Sequence, residues 1–153
     1  MPGKKFRFSL KNVLELRRHE TERAQDALTK AEAALDAQKE RLEQARNRLD
    51  AHRRSVTRGD TIRPAALRHN DAFRQKAQQA VATARDAVRT AEAKVDNARA
   101  ALQKRRQAEE ALETLREQEK HEHDQAQAKA ETAFLDEQAI LRYSRVNPMS
   151  LMA

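Results

Sequence analysis

Leucines recur every seventh residue in the first half of the chain, and most positions between them are charged or polar. The members of this column are Leu28, Leu35, Leu42 and Leu49. A seven-residue repeat of apolar positions predicts a helix that presents one narrow apolar stripe. Such a stripe requires a second helix to cover it.

The second half of the chain repeats this period with smaller residues. Val81, Val88 and Val95 are spaced by seven, and an alanine follows three residues after each valine. Glycine and proline, which interrupt helices, occur only at the two ends of the chain and at Gly59 and Pro64. The pattern therefore predicts helices at about residues 9–57 and 67–143, joined by a turn at about residues 58–66.

Two helices with the same period and one turn predict an all-α fold, a long antiparallel two-helix coiled-coil hairpin. Facing residues in an antiparallel pair have numbers with a constant sum, and a sum of 126 sets large residues opposite small ones. This structural seam is predicted to contain Leu14, Leu28, Leu35, Leu42, Leu49, Ala77, Ala84, Ala91, Ala98 and Leu112. In this register the second helix projects beyond the first from about residue 118.

The hairpin, residues 9–143, is expected to be a single domain between two flexible tails, a basic one at residues 1–8 and another at residues 144–153. Ser9 is the expected N-cap of the first helix, with Phe8 and Val13 forming a hydrophobic staple.

Composition supports a narrow core, because charged residues make up 36% of the chain and aromatic residues 3%. Charge is unevenly distributed along the sequence. Residues 41–76 hold ten Lys or Arg and four Asp or Glu, a net charge of +6, whereas residues 109–137 hold three and ten, a net charge of −7. The region around the turn is therefore basic, and the projecting part of the second helix is acidic.

No pattern in the chain predicts catalysis, a metal site or a cofactor. The five histidines do not form an HExxH motif, and two isolated glycines cannot form a phosphate-binding loop. The absence of cysteine and of a long apolar run favours a cytoplasmic protein. Three classes of non-enzymatic function stay open: binding to nucleic acid, binding to an anionic membrane surface, and a purely structural coiled-coil spacer.

Short motifs at the start of the chain, FRFSL at residues 6–10 and VLELR at residues 13–17, resemble the start of the FliJ family of flagellar type III protein export. The layout of unequal helices, with FLDE at residues 134–137, is similar as well. The resemblance implies a chaperone-like stalk of flagellum biogenesis and motility that activates the export ATPase. The equivalent injectisome stalks share these features.

The expected partners are the hexameric export ATPase, the membrane export gate protein and export chaperones, with no nucleic acid or small-molecule substrate. The chain would then be cytoplasmic and peripherally associated with the inner-membrane export apparatus. By the same resemblance, the candidates for ATPase binding are Phe6, Phe8, Phe134, Leu135, Ile140 and Leu141. The candidates for gate binding are Arg48, Arg53, Arg54 and Phe73.

Overall fold

The computed structural model describes residues 3–58 and 64–146, which form two helices, α1 (Lys11–Thr57) and α2 (Pro64–Val146). These described residues contain no strand. The two helices pack against each other in antiparallel directions, and α2 continues past the residues that pack on it. The predicted all-α hairpin with a projecting second helix is confirmed.

The first helix begins two residues later than predicted. The Lys11 N–H donates to the Phe8 carbonyl oxygen at 3.3 Å, which closes a turn at Ser9 and Leu10. The Leu10 carbonyl oxygen accepts a hydrogen bond from the Leu14 N–H at 2.9 Å, and the helix itself begins at the next residue, Lys11. Leu10 therefore occupies the N-cap position that the sequence predicted for Ser9. Only one of the two residues in the predicted hydrophobic staple is buried, because Phe8 is 8% exposed whereas Val13 is 38% exposed.

The second helix begins at Pro64, three residues earlier than predicted, and runs to Val146. Proline fits the first helical position because the N–H that it lacks would have no partner within the helix there. Residues 64–66, predicted to belong to the turn, are thus helical, while residues 59–63 lie outside the described part of the chain. Residues 147–153 of the predicted C-terminal tail also lie outside it.

The chain divides into two compact units. Unit 1 combines Met1–Arg18 with Gln107–Ala153, and unit 2 is His19–Arg106. In unit 2 the helices enclose two apolar clusters. The buried members of the first are Leu28, Val95 and Leu102, packed by Ala24, Ala31, Leu35 and Ala98. The buried members of the second are Leu42, Leu49 and Val81, packed by Ala45, Ala77, Ala84 and Val88.

Both clusters contain pairs of residues, one from each helix, whose numbers sum to 126 as predicted. Leu28 and Ala98 share the first cluster, and Leu49 and Ala77 share the second. Large residues on one helix therefore meet small residues on the other, which allows close packing without voids. The core is nevertheless thin, because even Leu14 and Val95, the most deeply buried apolar residues described, are each 3% exposed.

The seam residues differ in how deeply they are covered. The buried ones are Leu14, Leu28, Leu42, Leu49 and Ala91, and the partly buried ones are Leu35, Ala77, Ala84, Ala98 and Leu112. Ion pairs flank the apolar contacts. Within unit 2, Arg105 Nη1 lies 3.1 Å from Glu20 Oε2, and within unit 1 Arg18 Nη2 lies 2.9 Å from Glu113 Oε1. These pairs join residues on different helices.

Unit 1 contains a non-helical segment, residues 3–10, which we call the strap, packed along α2. Phe8 is buried, and the ring of Phe6 meets the ring of His123 edge-on at a centroid distance of 5.6 Å. Gln127 Nε2 donates to the Lys4 carbonyl oxygen at 2.6 Å. Residues 3–8, predicted to be a flexible tail, thus make specific contacts with α2.

The strap shifts the point where α2 becomes unpaired from about residue 118 to beyond Gln127. An extended residue advances roughly 3.3 Å and a helical residue about 1.5 Å. A short extended segment therefore lies along a stretch of helix that contains about twice as many residues as the segment itself. The prediction counted only contacts between helices and missed this addition.

Candidate interaction surfaces

The terminal patch is a set of exposed apolar side chains on the last four turns of α2. Every described residue from 128 to 143 is exposed. The patch consists of Phe134, Leu135, Ile140, Leu141, Tyr143 and Val146, which are 51 to 78% exposed. No described residue of unit 1 covers these side chains.

The patch surrounds the helix instead of forming a stripe. At roughly 100° per residue, Phe134, Leu135, Tyr143 and Ile140 point to roughly 0°, 100°, 180° and 240° about the helix axis. An amphipathic helix that packs on one surface carries its apolar residues on one side, whereas a helix that is apolar all round is enclosed by its surroundings. The terminal patch resembles the second kind in having apolar side chains on several sides of the helix, with Asp136, Glu137, Arg142 and Arg145 between them.

The two N-terminal candidates for ATPase binding do not belong to this patch. Phe8 is buried and Phe6 is partly buried in the strap, beside His123. A β-carbon added to Gly3 would collide with the side chain of Gln127, lying 2.6 Å from its Cδ, so the strap also lies close to α2 at its beginning. The six predicted residues therefore separate into two in the strap and four in the terminal patch.

The turn groove lies between α1 and α2 in unit 2 and has a volume of about 750 Å³. Its apolar lining is Phe73 and the alanines at positions 45, 77, 80, 84 and 87, and its cationic lining is Arg41, Arg48 and Lys76. None of its lining residues is acidic. The groove thus combines a floor of small apolar side chains with positive charge.

The position of Phe73 is fixed by a neighbouring histidine. The rings of His52 and Phe73 lie 4.5 Å apart, and His52 Nε2 lies 3.1 Å from the carbonyl oxygen of Asn70. His52, predicted at the d position nearest the turn, is only partly buried there. This contact holds one side of the Phe73 ring and leaves the other toward the groove and solvent.

The four predicted gate-binding residues do not form one surface. Arg48 and Phe73 line the turn groove, whereas Arg53 lines a smaller hollow of about 420 Å³ with His52, Asn70 and Arg74. Arg54 is exposed in the last turn of α1 and lines neither space. Sequence reasoning missed Arg41 and Lys76 in the groove. Arg41 could have been found from the sequence, because it precedes Arg48 by seven residues and therefore lies on the same side of α1.

The described residues show no cluster of three or more His, Cys, Asp or Glu that could hold a metal ion. His121 and His123 each contact the glutamine four residues later, at 2.9 Å and 3.2 Å respectively. No helix in the described part of the chain is long and apolar enough to cross a membrane. The terminal patch and the turn groove are the two candidate interaction surfaces of the described residues.

The sequence profile of the flagellar FliJ protein family matches residues 6–148. The chain belongs to the FliJ family. The resemblance seen in the short N-terminal motifs is thereby confirmed, and the match places the chain among the components of flagellar type III protein export. Members of the FliJ family are non-enzymatic components of that apparatus.

A solved structure with the same fold is that of a YscO homologue from Chlamydia trachomatis. The match covers 95% of this chain and 99% of the other, with a TM-score of 0.72 and 20% sequence identity. This likeness shows that the FliJ chain and the YscO homologue share the helical hairpin. No curated protein matches the chain significantly.

Proposed function

We propose that this FliJ-family chain is the central stalk of the export apparatus: it inserts the end of α2 into the hexameric export ATPase, stimulates hydrolysis, and links the ATPase to the membrane export gate and to export chaperones. Its peripheral association with the inner membrane would then come through these partners. The observation that carries the proposal is the terminal patch, with its apolar side chains on all sides of an unpaired helix.

The arrangement of the patch favours a ring as the partner. A flat partner surface would cover one side of α2 and leave the others in water, which forgoes about 25 cal/mol for each Å² of apolar area left uncovered. The pore of a ring contacts a helix from every side and covers all of that area. Phe134, Leu135, Ile140 and Leu141 are the residues that we expect to touch the ATPase.

Substitutions in the patch test its role directly. Leu141→Asp places a charge where the pore is expected to be apolar, so stimulation of the cognate ATPase should fall at least tenfold in a hydrolysis assay. The matched control is Leu16→Asp in unit 1, because Leu16 is 55% exposed and Leu141 54% exposed. Full stimulation by Leu141→Asp, and by a chain lacking residues 134–153, would refute insertion of this helix.

The turn groove is the proposed contact for the export gate. Its lining has cations and no acid, so it fits a partner surface with small apolar side chains bordered by carboxylates. Arg48 and Phe73 are the predicted gate residues that line it, and Arg53 and Arg54 are candidates for contacts outside it. Chaperones with the same surface chemistry would compete for this groove.

A binding assay with the soluble domain of the gate protein tests this assignment. Arg48→Glu reverses a charge in the groove and should weaken binding about tenfold or more, and Phe73→Ala should weaken it by removing apolar contact. Arg46→Glu is the control, since Arg46 is exposed but does not line the groove. Equal losses from Arg46→Glu and Arg48→Glu would show that only net charge matters. A purely structural spacer would show neither ATPase stimulation nor gate binding.

A further inference from the structure

The end of unit 2 where α1 ends and α2 begins carries a concentration of exposed positive charge. We call residues 53–58 and 64–76 the turn-end surface. Its cations are Arg53, Arg54, Arg58, Arg68, Arg74 and Lys76, and all six are exposed. Asp71 is its one acidic residue, and it already lies 3.3 Å from Arg74. The described surface therefore has a net charge of +5, from six cations and one acid.

Uncovered apolar side chains lie among these cations. The first turn of α2, from Pro64 to Leu67, is exposed at every position, and Leu67 itself is 49% exposed. Phe73 is exposed to a similar degree two turns later. Exposed aliphatic and aromatic groups beside Lys and Arg are typical of segments that lie in the headgroup region of a membrane.

We propose that the turn-end surface binds the surface of an anionic lipid bilayer, with Arg58 and Arg68 attracting lipid phosphates and Leu67 entering the headgroup region. This activity goes beyond the proposed stalk function, because it needs neither the ATPase nor the gate protein. It gives the chain a direct membrane contact in addition to any contact through protein partners.

The chemistry of the surface favours lipid over nucleic acid, the other common polyanion. Proteins that bind single-stranded nucleic acid use aromatic rings for base stacking. The described turn-end surface has one aromatic residue, Phe73, and the His52 ring occupies one side of it at 4.5 Å. Leu67 and the alanines before it have no role in phosphate binding but gain from contact with acyl chains.

Electrostatic attraction to anionic lipid should be measurable residue by residue. Each Lys or Arg close to such a surface strengthens binding by about fivefold. Removal of two cations should therefore weaken binding by roughly 25-fold, and raised salt should weaken it further because it screens exposed charges.

The test is flotation of the full chain with vesicles of phosphatidylcholine and phosphatidylglycerol in equal parts, compared with vesicles of phosphatidylcholine alone. Arg58→Gln/Arg68→Gln removes two charges from the turn-end surface. Arg23→Gln/Arg85→Gln is the matched control, since both arginines are exposed in unit 2 away from this end. Leu67→Gln tests the apolar contribution, with Leu16→Gln as its control.

The proposal expects flotation with the anionic vesicles only, a large loss for Arg58→Gln/Arg68→Gln and for Leu67→Gln, and little loss for the two controls. Absence of flotation with anionic vesicles would overturn it. Equal losses in the Arg23→Gln/Arg85→Gln control would also overturn it, as would tighter binding of a short DNA duplex than of vesicles.

Arg58 and Arg68 are not among the proposed gate or ATPase residues, so the two proposals fail separately. ATPase stimulation by Arg58→Gln/Arg68→Gln in the absence of vesicles is expected to equal that of the unmodified chain. If this variant loses flotation and retains stimulation, the lipid contact lies at the turn-end surface. If it loses stimulation and retains flotation, that result counts against the terminal patch as the ATPase contact of the proposed stalk.

Discussion

At the scale of single residues, small side chains matter as much as large ones in this hairpin. Ala91 is buried, and it lies seven residues from Ala84 and from Ala98, which pack in the two apolar clusters. An alanine at such a position sets the distance between the two helices. The same reasoning predicts that enlargement of an alanine is harmful only on this face.

Ala91→Leu should lower the free energy of unfolding by about 1 to 3 kcal/mol, because the added carbon atoms must displace well-packed neighbours. Ala93→Leu is its control, since Ala93 is exposed on the same helix. Urea unfolding followed by circular dichroism measures both. Equal midpoints for the two variants would mean that Ala91 does not face Leu35 as the sum of 126 predicts.

Gln127 has a role that no periodic pattern indicates. Its side-chain amide donates to the Lys4 carbonyl oxygen and holds the start of the strap on α2. Gln127→Ala should therefore lower the free energy of local opening of the strap by about 0.5 to 1.5 kcal/mol. Hydrogen exchange in residues 3–10 should become faster as a result. Gln125→Ala is the comparison, because Gln125 contacts His121 on its own helix. Unchanged exchange in Gln127→Ala would show that the strap is held by Phe6 and Phe8 alone.

At the scale of elements, the end of α2 differs from the rest of the helix in what stabilises it. Leu102 is buried against α1, whereas residues 128–143 are exposed at every position. The hydrogen bonds of Thr132 and Ser144 run to carbonyl oxygens of the same helix. Such a segment depends on local helical interactions, which are weak in water.

A chain that ends at Gln127 should therefore keep the thermal midpoint of the full chain within about 2 °C. It should lose about 15% of the helical ellipticity, since residues 128–146 are 19 of the 130 helical residues in α1 and α2. Circular dichroism during heating measures both quantities. A large fall in the midpoint would reveal that the last turns of α2 stabilise the hairpin.

At the scale of the whole molecule, the two candidate surfaces draw on different residues and different chemistry. The terminal patch is apolar and belongs to unit 1, while the turn groove is cationic and belongs to unit 2. A stalk that links two proteins needs two surfaces that bind at the same time. The proposed function therefore requires that each surface can be disabled without harm to the other.

Leu141→Asp should lower ATPase stimulation at least tenfold and leave gate binding within about twofold, and Arg48→Glu should do the reverse, because the two surfaces share no residue and independent sites act additively. The measurements are the hydrolysis rate and the affinity for the gate domain, made on both variants. Loss of both activities in either variant, with helicity retained, would contradict separate surfaces.

The seven-residue periodicity was enough to predict the all-α hairpin, the pairing of leucine with alanine, and the exposure of Phe134, Leu135, Ile140 and Leu141. A seven-residue repeat fixes which side of each helix is buried wherever two helices run together, so these features follow from local pattern. Its short motifs also indicated the FliJ family.

Three features became visible only in the folded chain: the place of the strap, the burial of Phe8, and the identity of the cations that line the turn groove. The strap has no repeat, and its contacts with His123 and Gln127 join residues more than a hundred positions apart. Such contacts depend on the path of an irregular segment over a helix, which no periodic signal encodes. For the same reason, Phe6 and Phe8 looked equivalent to Phe134 in the sequence but have different surroundings in the folded chain.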